Sequence, residues 1–193
     1  MENIFQRKYR LATDILSEVA DCAQGGLILV GGTALALFYL KHRVSVDLDF
    51  VPLSGDDAKA KEALKGCLSS KGYRTQRARF SNQFVVQSES TSVKVEIFTP
   101  EEKIGKVEKR MIGGRELLVA SLGDLLRMKI EAYSGRRKAR DLFDVVAILR
   151  KTGRNLSLAE GLVAKHGVPE DAGELEQMEP DEEVLSSFRK VLT

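Results

Sequence analysis

Three acidic residues carry the chemistry this sequence can support. Asp47 and Asp49 stand one residue apart inside a strand-like run, Val46 to Val51. Side chains two apart on a strand point to the same side, roughly 7 Å apart along the chain, so the two carboxylates address a common point. Like charges held together call for a cation, a proton or open water. Glu96, in the middle of Val95-Glu96-Ile97, is placed to add a third acid from a neighbouring strand. Upstream, Gly31-Gly32-Thr33 follows the apolar run Leu27-Ile28-Leu29-Val30 and opens a helical pattern. Such a turn aims backbone N–H groups and a positive dipole end at an anion. Glycine permits a phosphate to come close to the backbone, and the Thr33 hydroxyl adds a donor. Paired carboxylates beside a glycine turn suggest a triphosphate with its magnesium ions. Three carboxylates hold two divalent ions about 4 Å apart, one activating an attacking hydroxyl and the other neutralising the phosphates and the leaving pyrophosphate. That is in-line displacement at phosphorus. The competing reading is a solvent-facing strand edge, with Leu48 and Phe50 turned inward.

A second set comprises Lys129, Arg136, Arg137, Arg140, Asp141 and Asp144. Lys129 has the character of a point charge for a triphosphate. Arg140 and Asp144 are one helical turn apart and are expected to pair. A charged helix surface laced with salt bridges explains the same residues. His42, next to Arg43, is either a loop residue or a substrate contact, and His166 reads as surface. No Ser-His-Asp or Cys-His arrangement is evident, and two histidines with two cysteines argue against a zinc site.

The elements that must position these groups follow from the pattern. Ile4 to Ala23 is amphipathic, with Leu11, Ile15, Leu16 and Val19 at helical spacing. Leu27 to Val30 is a short buried strand, Thr33 to Lys41 a helix, and Val44 to Val51 a strand whose pairing Pro52 ends. Asp56 to Lys71 is a helix capped near Ser54 or Asp56 and closed by Gly72. Strands are expected at Tyr73 to Arg79, Gln83 to Gln87 and Ser92 to Phe98. In the last of these Val93, Val95 and Ile97 alternate with Lys94, Glu96 and Phe98. Met111 to Val119, with Gly113-Gly114, reads as an edge hairpin. From Ser121 the chain turns helical, with stripes Leu122, Leu125, Leu126, Ile130 and Leu142, Phe143, Val146, Leu149, then weaker helices at Leu158 to Lys165 and Asp181 to Val191. The expectation is an α/β core over 1–120 and a helical region over 121–193.

The 193 residues are enough to bury a core. A net charge of +2 does not by itself imply nucleic-acid binding, but it is unevenly spread. Lys103 to Arg154 holds 14 Lys or Arg against 6 acids, and Glu170 to Glu183 holds 8 acids and no base. The basic half could face phosphates, and the acidic stretch reads as a flexible segment. Cys22 and Cys67 lack metal-ligand spacing and read as buried or free thiols of a reducing compartment. No apolar run approaches the ~20 residues that span a bilayer, and Met1 to Lys8 has no secretory h-region. The cytoplasm is the expected location.

Gly31-Gly32-Thr33-Ala34-Leu35, followed by His42-Arg43-Val44-Ser45-Val46-Asp47-Leu48-Asp49-Phe50, resembles the nucleotidyltransferase superfamily. Within it the chain is most similar to the AbiEii/AbiGii toxins, which are related to the MenT toxins. Lys129 and Arg140-Asp141-Leu-Phe-Asp144 resemble the later motifs of that branch, and the likeness runs from about Leu27 to Leu149. The resemblance implies an α+β fold: a polymerase-β-like minimal core, a mixed sheet with flanking helices, then a helical C-terminal part. It implies transfer of a nucleoside monophosphate from an NTP with Mg2+ or Mn2+, a tRNA or other macromolecular acceptor, and a separately encoded antitoxin, with no membrane. By the same route Asp47, Asp49 and Glu96 are metal ligands. Gly31, Gly32, Thr33, Arg43, Ser45, Lys129 and Arg140 hold the nucleotide, and Asp141 and Asp144 join the catalytic set. Two departures stand out: Gly32-Thr33 where the superfamily usually has Gly-Ser, and Glu96 where the third acid is often Asp. The rival expectations are transfer of AMP to a small molecule such as an antibiotic, and a non-catalytic nucleotide- or partner-binding module.

Overall fold

Glycines and short apolar runs divide this chain into elements, and the computed structural model describes them over residues 4–193. Residues 1–3, part of the segment judged to lack an h-region, lie outside the described residues. Two compact units result: Met1–Ala34 with Val46–Ser121, and Leu35–Ser45 with Leu122–Thr193.

In the first unit, helix α1 (Ile4–Ala23) leads into strand β1 (Leu27–Val30), and helix α2 (Gly31–Leu35) begins directly after it. Strand β2 (Leu48–Pro52), helix α3 (Asp57–Ser70) and strands β3 (Arg74–Arg77), β4 (Gln83–Gln87), β5 (Ser92–Ile97), β6 (Val107–Ile112) and β7 (Arg115–Ala120) follow. The seven strands form one mixed sheet in the order β3-β4-β5-β2-β1-β7-β6. β1 runs antiparallel to β2, while β2 runs parallel to β5 and β1 parallel to β7. The polarity alternation in β5 is realised: Val93, Val95 and Ile97 are buried, whereas Lys94 and Glu96 are half-exposed. Leu29, Leu48 and Phe50 are fully buried beside them, each contributing about 1.5–3 kcal/mol by leaving water. α1 packs on β7 and β5, and α3 on β3, β5 and β2. Asp56 caps α3 by accepting from the Lys59 N–H at 2.9 Å.

Several expectations are corrected here. The strand expected from Val44 begins at Leu48, so Asp47 precedes it, and Pro52 is still in register, opposite Leu27. Cys22 and Cys67, expected as free or buried thiols, are joined in a disulfide with their Cα atoms 5.9 Å apart. Their sequence separation of 45 hid this pairing, which arises because α1 packs against α3. The hairpin expected at Met111 starts earlier, at Val107, and of its two strands β6 alone lies at an edge of the sheet, since β7 pairs with β1.

The second unit starts with a π-helical turn, Ala36–Leu40, that ends where Lys41 adopts a left-handed φ of 53°. Helices α4 (Leu122–Arg136), α5 (Ala139–Lys151), α6 (Ser157–His166) and α7 (Glu182–Val191) complete it. Nearly all of α5 is buried, and its Phe143 meets Phe188 of α7 edge-to-face with ring centroids 5.8 Å apart. The acidic stretch, expected to be flexible, is ordered: Ala172–Met178 is a 3-10 helix anchored by buried Leu175. Its acids meet the basic helices. Asp171 accepts from the Ala139 N–H at 2.8 Å and pairs with Lys138 at 3.2 Å, and Glu183 pairs with Arg150 at 2.8 Å. Among the described residues no helix is long and apolar enough to cross a membrane.

Candidate active site

The face of the sheet carrying the acids is built at the junction of β1, β2 and β5. Strand alternation forces Asp49 onto the side opposite Leu48 and Phe50. The parallel register then sets Asp49 directly across from Glu96. Two residues before each of these, the Lys94 ammonium lies 2.9 Å from Asp47 Oδ2. Lys94 is not among the residues expected from the sequence, although its spacing from Glu96 within β5 puts both on one face. Each Glu96 oxygen accepts from a side-chain amide: Oε1 from Asn82 Nδ2 at 3.0 Å and Oε2 from Gln83 Nε2 at 2.8 Å.

The antiparallel pairing of β1 and β2 puts Val30 opposite Asp49, so the chain turns at Gly31 immediately beside that carboxylate. Gly31 has φ +75°, and a Cβ there would overlap Asp49 Oδ2. Both facts require glycine. Thr33 is buried, and its hydroxyl donates to the Asp47 carbonyl at 2.5 Å. That bond ties the first turn of α2 to the backbone of the aspartate segment.

A divalent ion suits part of this donor set. Asp47 and Asp49 offer hard carboxylate oxygens, and the missing Cβ of Gly31 makes room for one of them. Among the described residues no group of three His, Cys, Asp or Glu side chains is gathered as a metal site. Asp47 and Asp49 are the residues here whose chemistry fits a hard divalent ion, which commonly takes only one or two protein carboxylates.

The second constellation lies within the second unit and is a buried ion-pair network. Asp144, fully buried, accepts from Arg43 Nε and Nη2 at 2.7 and 2.8 Å and from His42 Nε2 at 2.7 Å. Lys129, itself buried, lies 2.7 Å from Asp144 Oδ2 and 3.1 Å from Asp141 Oδ1. Arg136 completes the set with two bonds to Asp141. Burial pushes the Asp144 carboxyl up, but the Arg43 and Lys129 charges and the bonds from His42 and Arg43 outweigh it and hold it well below the usual range. For Asp141 burial likewise raises, and Arg136 and Lys129 prevail in lowering. The pairing expected between Arg140 and Asp144 is replaced by these bonds: Asp144 points into the buried side of α5, while Arg140 lines a cavity with Lys138 and Asp171. His42 is buried against Phe143, with ring centroids 5.8 Å apart. The long-range pairing of 42–43 with 144 has no local sequence signal.

Ser45 and Arg43 fall in the second unit, and Gly31, Gly32, Thr33, Asp47, Asp49 and Glu96 in the first. The fold is similar to that of several solved structures. JHP933 from Helicobacter pylori has a similar fold, with a TM-score of 0.61 and 24% identity, covering 100% of this chain and 93% of that one. A putative nucleotidyltransferase from H. pylori follows at 0.55 and 20%, with 100% and 96% covered. The antibiotic-resistance factor ANT(2'')-Ia is similar at 0.53 and 12%, with 81% and 91% covered. No curated protein matches. The family model for the nucleotidyl transferase AbiEii toxin, of type IV toxin–antitoxin systems, matches residues 14–190. That span includes both the aspartate face and the buried ion-pair network, and the chain therefore belongs to the AbiEii nucleotidyltransferase toxin family.

Proposed function

We propose that this enzyme transfers a nucleoside monophosphate from an NTP to a macromolecular acceptor, with RNA such as tRNA the first candidate, and that a separately encoded antitoxin restrains it. The observation that carries the reading is the Asp49 carboxylate seated against Gly31, in register with Glu96 and beside the Asp47–Lys94 pair. Asp47 and Asp49 would hold Mg2+. Once bound, the ion neutralises phosphate charge and makes the attacking hydroxyl more acidic. The first turn of α2 presents N–H groups of Gly31 and Gly32 at its positive end, where phosphate oxygens are stabilised. Thr33 holds that turn against the Asp47 segment. The acceptor hydroxyl attacks the α-phosphorus, the bond to the β-phosphate bridging oxygen breaks, pyrophosphate leaves and the hydroxyl proton is released. Assignment of Lys129, Arg43, Ser45 and Arg140 to the nucleotide, and of Asp141 and Asp144 to catalysis, rests on the resemblance of the motifs. The ion pairs on Lys129 also give it a structural role.

The test is incubation of the protein with each labelled NTP, Mg2+ and total RNA, beside an arm containing small-molecule acceptors. The expected result is label on RNA that is lost in Asp47→Ala and Asp49→Ala. Label on a small molecule alone would redirect the acceptor class. No pyrophosphate release with any NTP, acceptor and partner would overturn the reading.

A further inference from the structure

We infer that the connection between β3 and β4, residues 78–82, is the platform on which the unpaired end of the acceptor RNA stacks, Phe80 taking a base and Arg77 and Arg79 its phosphates. This rests on the reading of RNA as the acceptor. Phe80 is a large aromatic side chain left 55% exposed, and the Arg79 guanidinium lies over its ring, 5.3 Å from the centroid. A ring with an arginine beside it offers a nucleotide both a stacking surface and a cation. The backbone beneath the ring is braced. Lys61 of α3 donates to the Ser81 carbonyl at 2.6 Å, the Ile97 N–H donates to the Asn82 carbonyl at 3.0 Å, and the Gln83 N–H closes a turn on the Phe80 carbonyl at 3.1 Å. A surface held in this way loses little freedom when it binds. The same connection adjoins the acids: Asn82, two residues after Phe80, bonds Glu96, which stands across from Asp49. An RNA whose end reaches the aspartates must run on over a neighbouring surface, and this one carries the complementary charge. From Gly72 to Ser88 the chain holds three arginines and no acid, and Arg74, Arg77 and Arg79 are all exposed, on or just after the edge strand β3. On α3 the bond from Lys61, with the charges of Lys65 and Arg77, holds the Glu62 carboxyl below its usual value, so the bases of α3 and β3 act on one region.

The test is fluorescence anisotropy of the purified full chain, without nucleotide, on a labelled hairpin RNA with an unpaired 3′ tail and on the same hairpin blunt-ended. The expected result is tighter binding of the tailed RNA. Phe80→Ala should weaken the tailed RNA by about tenfold and leave the blunt one unchanged, and Phe80→Trp should restore the native affinity. Arg77→Ala should weaken the tailed RNA and reduce the salt slope of its log affinity by about 0.7. Circular dichroism melting checks that each variant is folded. Equal binding of the two RNAs by the native chain, or unchanged affinity in Phe80→Ala, would overturn the inference. A protein partner lost in Phe80→Ala, at unchanged RNA affinity, would assign the connection to that protein and overturn it too. Labelled-NTP transfer run beside these titrations keeps the two readings apart. Label on RNA with no role for Phe80 in binding would overturn the platform and leave RNA as the acceptor. The absence of label on RNA with any NTP would overturn the acceptor reading, and this inference with it.

Discussion

Gly31→Ala separates the cost of backbone strain from the loss of the site. Gly31 has φ +75°, a region an alanine enters at a cost of about 1 kcal/mol. The new Cβ would also overlap Asp49 Oδ2 and lie 3.0 Å from Asp49 Cγ. The carboxylate must rotate away, and an off-rotamer side chain costs about 0.5–1.5 kcal/mol. The restricted unfolded chain returns a few tenths. The sum is a destabilisation of about 1–2 kcal/mol, a fall in melting temperature of roughly 2–8 °C for a chain of this size. Activity should fall much further, by about a hundredfold, because displacing a positioned group by about 1 Å has that effect. Urea denaturation and labelled-NTP transfer measure the two quantities. A double-mutant cycle identifies the clash: in an Asp49→Ala background the stability cost of Gly31→Ala should shrink to the backbone part alone. Transfer within threefold of native in Gly31→Ala would refute the argument that Asp49 must lie against residue 31 for catalysis. An undiminished cost in the Asp49→Ala background would refute the clash.

Other consequences follow from the same geometry. Asp47→Ala and Asp49→Ala should each lower transfer by about a hundredfold or more at nearly unchanged melting temperature, since metal stabilisation of the transition state is worth several kcal/mol. Asp144→Asn leaves Arg43 and Lys129 buried without their common carboxylate and should cost about 3–5 kcal/mol in urea denaturation; a loss below 1 kcal/mol would mean that the network is not sealed from water. Asp144 and Asp141 titrate below their unfolded values, near 3.9. The stability they supply is therefore complete above that pH and should be lost as pH falls below it toward the folded values, an acid-side decline that Asp144→Asn should reduce. Reduction of the Cys22–Cys67 bond, which spans 45 residues, should cost about 4 kcal/mol by loop-closure entropy, read as a lower urea midpoint with dithiothreitol that Cys22→Ser reproduces without it.

The sequence by itself was sufficient for whatever depends on local spacing. Alternation in Ser92–Ile97 determined which β5 residues are buried, the stripe Leu142, Phe143, Val146 and Leu149 is buried as expected although burial extends to nearly all of α5, and the Asp47/Asp49 spacing with Gly31 pointed to the family. Tertiary structure decided everything that joins distant segments. The parallel register of β2 and β5 put Glu96 across from Asp49 and Lys94 beside Asp47. Burial of Leu175 and the pull of Lys138 and the α5 N-terminus ordered a stretch whose composition read as flexible. Packing of α1 on α3 brought Cys22 to Cys67, and Asp144 took Arg43, His42 and Lys129 as partners in place of its helical neighbour Arg140. The physical reason is common to all four. Periodicity specifies which side of an element leaves water, but the partner met there depends on how elements far apart in sequence are brought together, and no local pattern encodes that.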